Sequence, residues 1–296
     1  LYPHMMESAK TIAQCNVAGG FPLVIGDARD LRTGRAAGAR ARYPSRLLGG
    51  FGLAVLETGE AQDDPLRMRA AAVHTGIGRG HAHQDTLNLD LFAFGCRMAP
   101  DLGGRHEGPN RGSPNMRWNK VHNLVEVDNR NFENSYAGST VSGTGWTLSF
   151  SPQPGAQFMS SAARATSHPQ VSRYQRDTAM IDVDGMNSYV FDVFRVDGGQ
   201  LHTYCFHGAR SKDLLCNADL KPATSESGKA YLAKHKEGTR VEGKAPDTLV
   251  ADWTLDEDLQ RGYQGAAYQK DRRPVTRLNL FGVAGADVLA GNATSD

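Results

Sequence analysis

Cysteine is scarce in this sequence: four residues, Cys15, Cys96, Cys205 and Cys216, with no C-x-x-C pair among them. That number is too small for a disulfide scaffold and the spacing does not suit a cysteine-based zinc site. Cys205 and Cys216 can bridge in an oxidising compartment; buried free thiols are the other reading. An excess of one charge is also lacking. Lys and Arg number 33 against 32 Asp and Glu, a formal net charge of +1. No bulk attraction to nucleic acid or to a membrane surface follows, so any anion binding must come from local placement of arginines. No apolar run approaches the roughly 18 residues of a membrane span. Internal repeats and low-complexity tracts are missing as well. The chain opens at Leu1 without a basic n-region or apolar h-region. The expectation is a piece of a longer polypeptide, or a processed chain, and this leaves open whether the parent is secreted.

What is present is mostly strand. The first 45 residues differ from the rest: "HMMESAKTIAQCN" has apolar residues at helical spacing and is broken by "AGGFP", and "RTGRAAGARARYPS" reads as a basic connector. From Leu47 onward, runs of period two alternate with turn residues: "FGLAVLETG", "LRMRAAAVHTG", "TLNLDLFAFGCRM", "NLVEVD", "GWTLSF", "RDTAMIDVDG", "SYVFDVFRVDGG" and "LHTYCFHG". In "TLNLDLFAF", Leu87, Leu89, Leu91 and Ala93 fall on one face and Thr86, Asn88 and Asp90 on the other. That pattern predicts an antiparallel sheet packed on one side. Past about residue 215 the pattern weakens, with strands resuming at "TLVADWTL" and "RPVTRLNLFGVAG". The predicted fold is mainly β, an antiparallel sandwich.

Chemistry concentrates in "GRGHAHQD", residues 78–85. In an extended chain His81 and His83 project to the same side, and Gly78 and Gly80 allow another chain or a ligand to approach the backbone. Two polar residues at a strand entry would look the same. Asp101 in "MAPDLGG" and His122 in "NKVHNLVEVD" complete, with His83, a two-imidazole, one-carboxylate set suited to zinc. A competing set is the continuous His81, His83 and Asp85 of a metal-dependent hydrolase, although Thr86 stands where a further histidine is needed. His202 and His207 are read as structural residues at opposite ends of one strand, and His74 has no assigned role. The "GIGRG" glycines lack the spacing and the following helix of a dinucleotide fingerprint.

Together, "GHAHQD" (80–85), "NLDLFAFG" (88–95), "DLG" (101–103) and "HNLVEVD" (122–128) resemble the C-terminal domain of the heparinase II/III-like polysaccharide lyases. The strands "YQRDTAMIDVDG" and "YVFDVFRVDGGQLHTYCFHG" and the upstream "FPLVIGDARD" extend the resemblance over about residues 21–208. It implies a helical α/α toroid domain, of which residues 1–45 are the end and linker, followed by a β-sandwich over residues 46–296. It also implies cleavage of a uronic-acid polysaccharide, of alginate or glycosaminoglycan type, by β-elimination. By the same resemblance His81 is the catalytic residue facing substrate, as base or charge neutraliser. His83, Asp101 and His122 are ligands of a structural metal, zinc or another divalent ion. Arg79, Arg105, Arg117 and Trp118 are the expected substrate-binding residues, by bidentate and stacking contacts; a solvated basic loop is the alternative. Two departures from the family pattern stand out. Ala82 replaces the glycine between the histidines, and the segment from Leu102 to Val121 lacks a tyrosine found in some members. The principal catalytic tyrosine is expected from the toroid, so this chain alone should be inactive. Expected partners are an acidic polysaccharide or oligosaccharide, the N-terminal toroid of the same parent and, in a homodimer, a second copy; nucleic acid and membrane are not expected. The expected location is periplasmic or secreted. A non-catalytic carbohydrate-binding sandwich and the hydrolase remain as alternatives.

Overall fold

A computed structural model describes residues 14–18, 21–23, 25, 43–59, 66–75, 83–101, 119–130, 145–163, 169–208, 214–224, 240–255 and 273–291. These fall into two compact units that meet in sequence at His207 and Gly208. The first opens with a short antiparallel pair, β1 (Asn16–Val17) and β2 (Phe21–Pro22). A five-stranded antiparallel meander follows: β3 (Arg46–Leu48), β4 (Leu53–Thr58), β5 (Arg69–His74), β6 (Asn88–Ala93) and β7 (Cys96–Ala99). After β8 (Val125–Val127) comes a four-stranded meander of β9 (Gly145–Ser151), β10 (Ala156–Ala163), β11 (Val171–Asp182) and β12 (Ser188–Gly198). The last strand of this unit, β13 (His202–Tyr204), returns to pair with β8. The second unit holds two three-stranded sheets. One is β14 (Leu214–Cys216), β17 (Thr248–Thr254) and β18 (Val275–Phe281). The other is β15 (Lys221–Pro222), β16 (Arg240–Lys244) and β19 (Asp287–Gly291).

The first unit is an antiparallel β-sandwich, in keeping with the expected mainly β fold class. Strand β4 shows why: Ala54 and Leu56 face one way and Leu53 and Val55 the other, and all four are buried. Ala54, Leu56, Ala71, Val73 and Leu89 of the five-stranded sheet pack against Met159, Val171, Tyr174 and Met180 of the four-stranded sheet. The opposite face of the five-stranded sheet, Leu53, Val55, Ala70, Ala72 and Phe92, is covered by Val17, Ala18 and Leu23. Each fully buried leucine of this kind contributes about 1.5–3 kcal/mol. Tyr174 closes the first core with a hydroxyl donated to Val125 O at 2.5 Å, its ring meeting Phe194 edge-on at 4.7 Å. At β9, Gly145 is required by close approach: a Cβ there would lie 2.2 Å from Ala162 O.

Arg46 holds the N-terminal segment on the outer face. It donates to Gln14 O at 2.7 Å and Asn16 O at 2.6 Å, and pairs with Glu57 at 2.8 Å; Glu57 in turn accepts from Ala18 N at 3.0 Å. Replacing it, Arg46→Met, strands a buried carboxylate and is expected to cost about 3–5 kcal/mol. Amide hydrogen exchange locates the loss: protection at residues 16–18 should collapse while that of β10 to β12 persists, and uniform loss across both sheets would refute the clamp.

Several sequence expectations are corrected. The polar face of β6 is not solvated: Asn88 and Asp90 are buried as deeply as Leu89. Leu87 lies outside the strand at φ +66. Strand β10 escaped prediction because its inward row includes Gln157 and Ser161, both buried, which hides the alternation. Strands β16 and β19 were unpredicted too, both being partly exposed and weakly apolar. His202 and His207 do not share a strand, since β13 ends at Tyr204. Of the two readings of the cysteines, that of free thiols holds: all four are free, Cys96 and Cys205 buried, Cys15 and Cys216 partly so. The helical end of the toroid predicted over residues 1–45 lies largely outside the described residues, of which Gln14 is α-helical.

Candidate functional site

The buried polar face of β6 is the floor of the site. Four chain segments reach it: the turn 83–87 entering β6, Asp101 directly after β7, the 3-10 turn Asn119–Val121 that delivers His122 and Asn123, and the exit from β13 carrying His207. Backbone groups fix these segments. Asn88 Oδ1 accepts Asn123 N–H at 2.7 Å, Asn123 Nδ2 donates to Leu89 O at 2.9 Å, and His207 N–H donates to Asn123 Oδ1 at 2.8 Å. His207 Nε2 sits 2.9 Å from Val121 O. His207 is thus tied to both neighbours of His122. The Asp101 N–H donates to Asp90 Oδ1, and Asn88 Nδ2 to Asp101 Oδ2 at 3.3 Å.

Within this frame His122 Nδ1 and Asp101 Oδ2 are 3.1 Å apart, and the His83 and His122 rings lie 5.6 Å between centroids. His83, Asp101 and His122 are each buried. Burial, the largest influence on Asp101, raises its pKa, but the His122 charge and hydrogen bond outweigh it and hold the carboxyl below its usual range. His122 mirrors this: burial lowers its pKa, and the Asp101 charge and hydrogen bond, with the charges of Asp85 and Asp90, raise it above its ordinary value. Asp90 is driven well above the carboxylate range by burial and by the Asp101 charge. His207 is pushed down to about 4 by burial and stays neutral. One residue further out, Asp85 Oδ2 lies 3.5 Å from His74 Nδ1. Burial raises the Asp85 pKa, yet His74, His122 and His83 together bring it to about 2.

The donor chemistry fits a divalent cation. His122 Nε2 is buried and makes no hydrogen bond. Two imidazoles sharing one tetrahedral ion at about 2.0–2.1 Å place their ring centres roughly 5 Å apart, close to the 5.6 Å found. In the side-chain conformations present, no three of the described His, Cys, Asp and Glu donors converge on a single point at ligand distance. The structure therefore brings the three predicted ligands into one cluster without closing them. His81, Arg79, Arg105, Arg117 and Trp118 lie outside the described residues. A surface cleft of 510 Å³ lined by Thr58, Arg69, Asp182 and Asp184 contains none of the candidate residues. Asn88 and Asp90, on the polar face of the β6 pattern, and Asn123, beside His122 in "HNLVEVD", are buried parts of the site to which the sequence pattern assigns no role.

No family model matches the sequence, and no curated protein does. Solved structures do match. A heparinase III gene product is 16% identical, with a TM-score of 0.51 over 98% of this chain and 47% of its own. A further heparinase III is 11% identical, with a TM-score of 0.52 over 100% of this chain and 50% of its own. A heparan sulfate lyase from Pedobacter heparinus is 13% identical, with a TM-score of 0.49 over 99% and 46%. This chain spans about half the length of each.

Proposed function

From the premise that this fold is heparinase-like, we propose that the chain is the sandwich part of a lyase that cuts uronic-acid polysaccharide by β-elimination. The observation that carries the reading is the meeting of His83, Asp101 and His122, from three separate segments, in one buried cluster two residues from His81. The C5 proton of a uronate is weakly acidic until its carboxylate is neutralised by donors that stabilise the enolate-like intermediate. Arg79, Arg105 and Arg117 are the groups of this chain for that task, and Trp118 offers a face for a sugar ring. His81 takes the proton, as an imidazole near neutral pKa can. Protonation of the departing C4 oxygen falls to a tyrosine from the half of the parent that this chain does not span.

A divalent ion, zinc by donor type, would be held by His83, Asp101 and His122 and would cross-link the ends of β6, β7 and the turn before β8. The chain's own residues do the rest: Asn88 and Asn123 fix the loop backbones, and Asp101 orients His122. No helix among the described residues is long and apolar enough to cross a membrane. A polymeric substrate favours a periplasmic or secreted location.

The test is ultraviolet absorbance of unsaturated uronate when the full-length parent meets alginate, heparan-type and chondroitin-type chains. Absorbance growing with one of them is the expected result and names the substrate. None on any uronate, with folded and metal-loaded protein, would replace this reading with a carbohydrate-binding sandwich.

A further inference from the structure

Arg69 is the first residue of β5 and its side chain is 7% exposed, yet its guanidinium is poorly used. Nε is buried and makes no hydrogen bond. Nη1 donates to Gly185 O at 3.4 Å, the long limit of such a bond, and Nη2 lies 3.5 Å from Asp182 Oδ1. That oxygen is buried and accepts no hydrogen bond either, while Asp182 Oδ2 accepts from Thr58 Oγ1 at 2.7 Å. Arg46 and Arg176 show what burial of a guanidinium demands: every nitrogen of each is bonded, at 3.0 Å or less. Buried donors and acceptors without a hydrogen bond are rare in native proteins and call for a partner. Arg69 and Asp182 line one cleft of 510 Å³, the size of a small-molecule site, together with Thr58, Gly155, Asp184 and Gly185.

One wall of the cleft is fixed in advance. Asp184 Oδ1 accepts the N–H groups of Met186 and Asn187, both at 2.7 Å, so the β11–β12 turn that carries Gly185 is held by its own aspartate. Gly155, at φ +83, has open space where a side chain would stand. Arg69 opens β5 and His74 closes it, which puts them about 17 Å apart along the strand. One guanidinium against two carboxylates gives the lining a net negative charge, and that disfavours sulfate, phosphate or a uronate. A donor fork beside an unused carboxylate oxygen instead matches two neighbouring hydroxyls. One hydroxyl oxygen accepts from Arg69 and the next hydroxyl donates to Asp182 Oδ1, which replaces the loose 3.5 Å contact with two closed, charge-assisted bonds. The same turn exposes Val183 and Met186, apolar surface for the C–H face of a ring. We propose that this cleft binds a neutral sugar unit through a vicinal diol, with Arg69 as donor and Asp182 as acceptor. None of the residues of the proposed lyase chemistry takes part, so the inference stands or falls separately from that reading.

The experiment is calorimetric titration of the full-length parent with neutral disaccharides of gluco, galacto and manno configuration, and with sulfate and glucuronate. At least one neutral disaccharide should bind, and more tightly than either anion. Asp182→Asn, which keeps the shape of the side chain but turns the free acceptor into a donor, should weaken that binding by at least about 10-fold, the worth of one hydrogen bond to a charged group. Arg69→Lys, which keeps the charge and loses the fork, should weaken it by as much. Amide exchange over residues 183–187 should slow when the sugar is added. Turnover of a short uronate chain should be the same in both variants as in the wild type. The proposal is overturned if no neutral disaccharide binds, if an anion binds more tightly, or if either folded variant keeps wild-type affinity. Exchange over 183–187 that ignores the sugar would also end it. A variant that lost uronate turnover along with sugar binding would put the sugar among the lyase residues instead. Should Arg69→Lys fail to fold, Asp182→Asn and the exchange measurement decide.

Discussion

Arg176→Met is expected to lower the stability of the chain by about 3 kcal/mol, the low end of the cost of breaking a buried ion pair, since its partner Asp192 is only partly buried. Arg176 is 1% exposed and every arm of its guanidinium is used. Nε and Nη2 hold Asp192 as a fork, at 2.8 and 2.9 Å, while Thr178 Oγ1 donates to the same carboxylate at 3.0 Å. Nη1 donates to Leu87 O at 2.7 Å and to Asn123 O. The guanidinium also lies 5.2 Å over the Phe194 ring. Leu87 is a non-glycine residue in the left-handed region, a conformation that costs on the order of 1–2 kcal/mol and persists only when its surroundings fix it. Arg176 is one of the groups that fix it. A lysine would not rescue the site, because a point charge cannot serve a forked carboxylate and two carbonyls at once. Adding Asp192→Leu to Arg176→Met should recover part of the loss, since it removes the stranded charge. Urea denaturation of the three proteins measures this. A loss below about 1 kcal/mol for the single variant, or none recovered in the double, would show that the network is not a determinant of stability.

His81→Ala and His83→Ala are expected to fail in different ways. In the full-length parent, His81→Ala should reduce turnover by about two to four orders of magnitude, the range for removing a general base, with metal content and thermal midpoint unchanged. His83→Ala should lose metal and stability together, turnover following. The physical ground is the position of His83, buried and in ring contact with His122. Metal analysis beside the uronate assay separates the two. Equal release of metal by both substitutions would end the division of labour between the adjacent histidines.

The sandwich was legible because period-two runs such as "LAVLET" and "RAAAVH" have few alternatives as half-buried or fully buried strands. The meeting of His83, Asp101 and His122 was legible only as a pattern, since sequence spacing does not say which loops share a sheet end. What stayed hidden had a common cause. Periodicity distinguishes apolar from polar, and assigns polar to water by default. Asn88, Asp90, Gln157 and Ser161 are polar and buried, with partners far along the chain: Asn88 reaches Asn123, and Gln157 Nε2 donates to Glu57 O at 3.0 Å. Those partners cannot be read from local pattern. The positive φ of Leu87 was equally invisible, because glycine or asparagine is the residue that announces such a turn.

The pairing of β8 with β13 sets an order for synthesis. The five-stranded and four-stranded sheets are both meanders in which each strand pairs with its neighbour in sequence, so each can close as it leaves the ribosome. Val125–Val127 has no such neighbour. Its partner, His202–Tyr204, is translated only after the whole of β9 to β12. His83 and Asp101 therefore emerge on a sheet that can already be complete, while the strand behind His122 waits for almost the last residues of the unit. A nascent chain exposes the histidine–carboxylate cluster unfinished for that interval, and the final strand of the sandwich, rather than the motif itself, decides when the site exists.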